Sequence, residues 1–234
     1  MKLSIRGLTH KYDVDVINDL NLELNQYKSI ALIGVSGSGK STLLRIMSGL
    51  EQPTIGEVWI DDLPVSDPEY RKHVGFVFQH HNLFPHLTLK KNITLVLEKT
   101  RDMGKEEAEA MAISQLSALR LEDQMDKLPK NVSGGQAQRA SLARALSLDP
   151  NVIFLDEPTS SLDPILTYEV LTAVEELRDS GKQFIFVTHV MSFVRDFADY
   201  VIFMENGNIV EQGPVSILEQ PSTQSLIEFM KKVR

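Results

Sequence analysis

The chain has 234 residues, which suits one α/β domain or one domain with a lobe inserted in it. A hydrophobic share of 42% supplies a core, a net charge of −8 argues against a nucleic-acid partner, and the lack of cysteine excludes disulfides, thiolate zinc sites and cysteine nucleophiles. No apolar stretch reaches the about eighteen residues of a membrane helix, and Met1–Arg6 has no signal-peptide core. A soluble, cytoplasmic protein is expected, with any membrane contact made through a partner.

Leu3, Ile5 and Leu8 begin an N-terminal strand, and Tyr12 follows in a polar loop. Leu20, Leu22 and Leu24 alternate with Asn21, Glu23 and Asn25, the period of a half-buried strand. Ser29 to Ile33 is a short apolar run that reads as a buried strand. Directly after it stands Gly34-Val35-Ser36-Gly37-Ser38-Gly39-Lys40-Ser41, which fits G-x-x-x-x-G-K-[ST]. A helix opens there, with Leu43, Ile46, Met47 and Leu50 expected on one face. The glycines let backbone N–H groups curl toward an anion, and the helix adds the positive end of its dipole. Lys40 supplies a cation for the outer phosphates and Ser41 a hydroxyl for the accompanying Mg²⁺. Strand, loop and helix together imply binding of a nucleoside triphosphate. Gly56 to Ile60 then gives a strand with a turn at Asp61-Asp62, and Val74 to Phe78 a short run ending at Gln79.

From Leu87 to about Leu148 strand signal is scarce. Lys105 to Leu119 reads as helix, and Asn131 to Leu148 as helix after a Gly-Gly start. This stretch is expected to be a helical lobe, residues 87–149, inserted into a core of 1–86 and 150–234. Sheet texture returns at Val152 to Leu155. A helix is expected from Pro164 to Ser180 with Gly181 as its stop, then an apolar run from Phe184 to Thr188. Asn206-Gly207 between Val201–Met204 and Ile209-Val210 is a hairpin signal, and Ser222 to Arg234 reads as a surface helix. Apolar runs alternating with helices imply a mainly parallel sheet, whose ligands collect at the carboxyl ends of strands. The groups standing there are the phosphate loop, Gln79, Asp156-Glu157 and Thr188-His189.

Two adjacent carboxylates at a buried strand end repel unless a cation offsets them. Asp156 would orient Mg²⁺ and Glu157 would polarise a water that attacks the γ-phosphate. Ser133 and Gln136 fit a capping box. The intervening Gly134 and Gly135 weaken a helix start and make sense where something approaches the backbone closely, so this helix N-terminus is a second anion site. Two phosphate sites on one chain suggest a nucleotide shared by two molecules. His189 shares the carboxyl edge and is read as a γ-phosphate contact. His80, His81 and His86 read as a solvated loop, and Tyr12 as an aromatic able to stack on a base.

Taken in order, Gly34 to Ser41, Gln79, Val132-Ser133-Gly134-Gly135-Gln136, Val152 to Glu157, Ser160-Ser161-Leu162-Asp163 and His189 resemble an ABC transporter ATPase subunit over almost the whole chain. Phe78 to Thr88 and Val201 to Gly207 also look like the importer ATPases for polar amino acids. The resemblance implies an α/β, P-loop NTPase core of mainly parallel sheet plus an N-terminal antiparallel β subdomain, with the helical lobe inserted. It implies Mg²⁺-dependent ATP hydrolysis that powers uptake of a small polar solute. Gly34, Val35, Ser36, Gly37, Ser38, Gly39, Lys40, Ser41 and Thr42 would hold the phosphates and Tyr12 would stack on adenine. Ser41, Gln79 and Asp156 would serve the metal, while Glu157, His189 and Lys40 would serve hydrolysis. Ser133, Gly134, Gly135 and Gln136 would close on the ATP of a second copy, with Asp163 at the dimer interface. The loop from Asn82 to Pro85 would meet an integral-membrane permease, served in turn by a substrate-binding protein, on the cytoplasmic face of a bacterial inner membrane. Val132, Ser161, Val190 and Lys90-Lys91 depart from the family's usual residues. An exporter or lipoprotein-release ATPase, and a non-transport ATPase of the same family, are the competing readings.

Overall fold

The computed structural model describes residues 1–160, 162–179 and 181–233. Ser161, the expected helix end at Ser180 and the terminal Arg234 lie outside the described residues. The chain divides into two compact units, one formed by residues 1–72 and 183–234, the other by 73–182.

In the first unit, β1 (Leu3–Lys11) lies between β2 (Asp15–Leu24) and β4 (Ile55–Ile60), with β5 (Leu63–Pro64) outside β4, in an antiparallel sheet. Leu3 opposes Leu24, and Ile5 opposes both Leu22 and Val58; all five are buried, so one face of this sheet is core. Strand β3 (Ser29–Gly34) is buried along its whole length and pairs in parallel with β8 (Gln183–Val187) and β9 (Tyr200–Glu205). Burial on both faces explains why these strands read as continuous apolar runs rather than as alternation. β9 turns into β10 (Asn208–Pro214) through Asn206 and Gly207, both at positive φ, the geometry of the hairpin that Asn-Gly favours. Gly207 O accepts from Asn18 N at 3.1 Å, tying this hairpin to β2.

Helix α1 (Lys40–Met47) buries Leu43, Leu44, Ile46 and Met47. Leu50 does not join that face. The helix ends at Ser48, Gly49 turns the chain at φ 74°, and Leu50 is 52% exposed. Helix α6 (Met191–Phe197), which was not singled out in the sequence, packs Phe193 and Phe197 against Phe184 and Phe186. Val190 stands at its N-cap without a side-chain hydrogen bond. Helix α7 (Gln224–Lys232) closes the chain; Glu211 of β10 accepts from Ser222 N and Thr223 N at its start.

In the second unit β6 (Val74–Val77) pairs in parallel with β7 (Val152–Asp156). Four helices accompany them: α2 (Leu89–Thr100), α3 (Lys105–Ala118), α4 (Gly134–Leu146) and α5 (Pro164–Asp179). Helix α2 was not singled out in the sequence, although its signals are there. Thr88 caps it by accepting from Lys91 N, and Leu89, Ile93 and Leu97 recur every four residues and are buried. Helix α4 starts three residues later than Asn131, because Pro129–Asn131 form a separate 3₁₀ turn. Lys90 lies 2.8 Å from Glu109 and 3.2 Å from Asp126, which raise its pKa through hydrogen bonds and charge.

Candidate nucleotide site

In the first unit, the phosphate loop leaves the carboxyl end of β3. Gly34, Gly37 and Gly39 hold φ of 146°, 79° and 95°, so the loop folds in a region that only glycine enters freely. At Gly34 a Cβ would stand 2.1 Å from the backbone oxygen of Met204, so glycine is required there by space as well as by conformation. Val35, Ser36 and Gly37 form the exposed crown, while Ser38, Gly39 and Lys40 are buried beneath it. The Lys40 ammonium is folded into the loop, donating to Gly34 O at 3.0 Å and Val35 O at 2.8 Å. Its charge is thereby held inside a ring of backbone, where phosphate oxygens can replace the carbonyls as acceptors. Helix α1 begins after Gly39, which makes no side-chain cap hydrogen bond, so the positive end of the helix dipole faces the loop.

Because Leu32 pairs with Val187, the residues after β3 and β8 leave the same edge of the sheet. This puts His189, exposed beyond β8, on the edge that carries the loop. Tyr12 is 49% exposed at the end of β1. Its hydroxyl is raised in pKa by burial and by a hydrogen bond with Glu51, opposed by one with Thr42, so the phenol reaches the residue that follows Ser41.

In the second unit, Val77 pairs with Leu155, so Gln79 and Asp156-Glu157 follow strands at one edge. Asp156 is 3% exposed, whereas Gln79 is exposed. Glu157 holds φ 45°, a left-handed conformation that costs about 1–2 kcal/mol in a residue with a Cβ. Such cost persists where the surrounding fold enforces it and clusters at working positions.

Ser133 and Gln136 form the capping box: Ser133 Oγ accepts from Gln136 N at 3.2 Å and Gln136 Oε1 from Ser133 N at 2.9 Å. Gly134 and Gly135 have a packing reason that the sequence did not disclose. A Cβ on Gly134 would lie 3.1 Å from Leu162 Cδ2, and one on Gly135 would lie 3.1 Å from Leu166 Cβ. Asp163 caps α5, its Oδ1 accepting from Ile165 N and Leu166 N, both at 2.9 Å. Helix α4 also secures the segment around Gln79. Buried Gln138 donates to Phe78 O at 2.9 Å, and Arg144 donates to Asn82 O at 2.9 Å and lies over the Phe84 ring. Burial pulls the Arg144 pKa down and, with the Arg144 charge, that of His81. Asn92, fully buried, accepts from Phe84 N and donates to the carbonyls of Phe84, Leu87 and Thr88. Gln138, Arg144 and Asn92 were missed in the sequence. A polar residue on an otherwise apolar helix face was the available signal.

The sequence-expected residues thus gather in two sets. One comprises Tyr12, the loop from Gly34 to Thr42 and His189; the other comprises Gln79, Ser133 to Gln136, Asp156, Glu157 and Asp163. A glycine-turned loop between a buried parallel strand and an uncapped helix defines a P-loop NTPase of mixed α/β fold. Residues 17–160 match the family model described as ABC transporter, and the chain belongs to that family. It is 41% identical over 242 residues to the L-cystine transport system ATP-binding protein TcyN of Escherichia coli, covering 97% of each. It is 40% identical to the glutamine transport ATP-binding protein GlnQ of Geobacillus stearothermophilus, covering 94% of each. Among solved structures it resembles a dimeric post-hydrolysis ATP-binding cassette bound to ADP and phosphate, with a TM-score of 0.82 and 32% identity over 91% of this chain and 98% of that one.

Proposed function

We propose that this chain is the ATP-binding and ATP-hydrolysing subunit of an importer for a small polar solute, an amino acid, acting as a pair of copies beneath membrane permease subunits. The observation that carries the reading is the glycine-turned loop with Lys40 folded into it. Its specific direction, amino-acid import, comes from the names of the cystine and glutamine transport relatives. No helix among the described residues is long and apolar enough to cross a membrane. We place the subunit on the cytoplasmic face of the permease.

In this mechanism Gly34 to Thr42 hold the phosphates and Lys40 exchanges its loop carbonyls for phosphate oxygens. Tyr12 stacks on adenine. Ser41, Gln79 and Asp156 offer only oxygen donors of the hard type that Mg²⁺ takes, and Asp156 is a buried carboxylate; the set fits that ion. Bound Mg²⁺ would neutralise charge on the phosphoryl oxygens. Glu157 orients and polarises the attacking water, and His189 contacts the γ-phosphate. Ser133 to Gln136 of one copy close on the ATP held by the other, with Asp163 at that interface. The division into a core of 1–86 with 150–234 and a helical lobe of 87–149 belongs to the same reading, as does contact between Asn82–Pro85 and the permease.

The test is co-purification with the permease, followed by ATPase and uptake assays over an amino-acid panel. Mg²⁺-dependent hydrolysis coupled to uptake of an amino acid is expected. Hydrolysis without any amino-acid uptake would sink the import assignment, and no hydrolysis in the complex would sink the motor assignment.

A further inference from the structure

His10 is a titratable residue that the site so far does not use. Its side chain on β1 is 7% exposed, with Nε2 3.1 Å from Glu51 Oε1. Among the described residues neither ring nitrogen finds a hydrogen-bond partner, so the contact with Glu51 has ion-pair distance without hydrogen-bond alignment. The imidazole and the Tyr12 ring make a T-shaped pair, with centroids 4.7 Å apart and planes at 83°. Burial raises the pKa of the Tyr12 phenol, Glu51 raises it further and Thr42 opposes this. One half-buried carboxylate therefore acts on both rings.

We propose that His10 and Glu51 are a positioning pair that fixes Tyr12 for nucleotide binding. The inference rests on the reading of Tyr12 as the base-stacking residue. A buried imidazole packed against an aromatic ring and held beside a carboxylate restrains the ring it touches. With Glu51 held, the acceptor for the Tyr12 hydroxyl is fixed and the ring loses freedom before the ligand arrives. The other charge acting on Tyr12 comes from Arg45 of α1. On β2 the register partner of His10 is the uncharged Ile17, and Asp15 lies opposite Lys11. On the β4 side, Ile55 opposes Thr9 and the Thr54 hydroxyl accepts from Lys11 N.

The experiment measures the affinity of the full chain for ATP and for inorganic triphosphate, which has no base to stack. His10→Gln, Glu51→Gln and Tyr12→Ala are each compared with the parent. Loss of ATP affinity by about tenfold is expected for His10→Gln and Glu51→Gln, with triphosphate affinity unchanged. The double variant should lose no more than either single one. An equal loss for both ligands, or none for either, would overturn the proposal. Should His10→Gln fail to fold, the partly exposed Glu51→Gln carries the same test. Tyr12→Ala separates the two readings: unchanged affinity there removes base stacking and the inference with it. A loss in Tyr12→Ala beside an unaffected His10→Gln leaves stacking standing and removes only the positioning pair.

Discussion

Helix α1 of the first unit and helix α4 of the second both begin at glycines, and the glycines answer to different demands. Before α1, Gly34, Gly37 and Gly39 all adopt positive φ, so the backbone path itself needs them. At the start of α4, Gly134 and Gly135 lie within ordinary helix, and side chains from Leu162 and Leu166 occupy the space a Cβ would take. The two helix ends also differ in capping. The first has no side-chain cap, whereas the second has a reciprocal capping box. A glycine-rich stretch therefore does not carry one meaning. It marks either a turn that other residues cannot make or a surface that must come close. Glu157 supplies the counterpart, a residue with a full side chain held at φ 45° where glycine would be easier.

The largest expected effect addresses that last case. Glu157→Gln should lower ATP turnover by about 10²–10⁴-fold, leave the melting temperature near the parent's and trap an ATP-bound dimer. Unchanged turnover would remove Glu157 from catalysis and leave its backbone strain without a functional reason. Next come the loop glycines. Gly34→Ala should cost about 3 kcal/mol or more in denaturant unfolding, since its Cβ meets a backbone oxygen at 2.1 Å. Gly37→Ala, with open space around it, should cost only the left-handed penalty of about 1–2 kcal/mol. Equal losses would mean that conformation alone, not crowding, sets the need for glycine.

Gly135→Ala should cost about 1 kcal/mol net, crowding against Leu166 outweighing the gain in helix propensity. A stabilised variant would show that Leu166 yields and that packing is not the reason for this glycine. The smallest effect concerns Glu211. Burial pushes its pKa up, but hydrogen bonds from Thr223 and Ser222 outweigh this and leave it lowered. Its contribution is present above the ordinary carboxylate range and is lost as pH falls through the folded-state value. Thermal melts of Glu211→Gln should therefore lie below the parent at neutral pH and converge with it in acid; a constant gap would contradict the linkage.

Much of this molecule was legible residue by residue. Ser29 to Ile33, Val152 to Leu155 and Val201 to Met204 fall in strands, as their apolar runs indicated, and Asn206-Gly207 makes the turn. Ser133 and Gln136 form the box their spacing announced. Leu50 was misread because periodicity continues past a helix that its C-terminal glycine has already ended. Helix α6 escaped notice because a helix of 7 residues shows too few turns for its period to stand out, whereas α2 carried a legible signal, Thr88 ahead of Leu89, Ile93 and Leu97, that was passed over.

The sequence by itself determined the phosphate loop, the strand ends that carry polar groups, and the family, because local backbone demands leave a residue pattern within a few positions. Only the tertiary structure decided which residues support that chemistry. Gln138 reaches Phe78, Arg144 reaches Asn82, and Glu51 reaches His10 across about forty to sixty positions of chain. A contact at that separation depends on how the strands and helices pack, and no local pattern of residues records it.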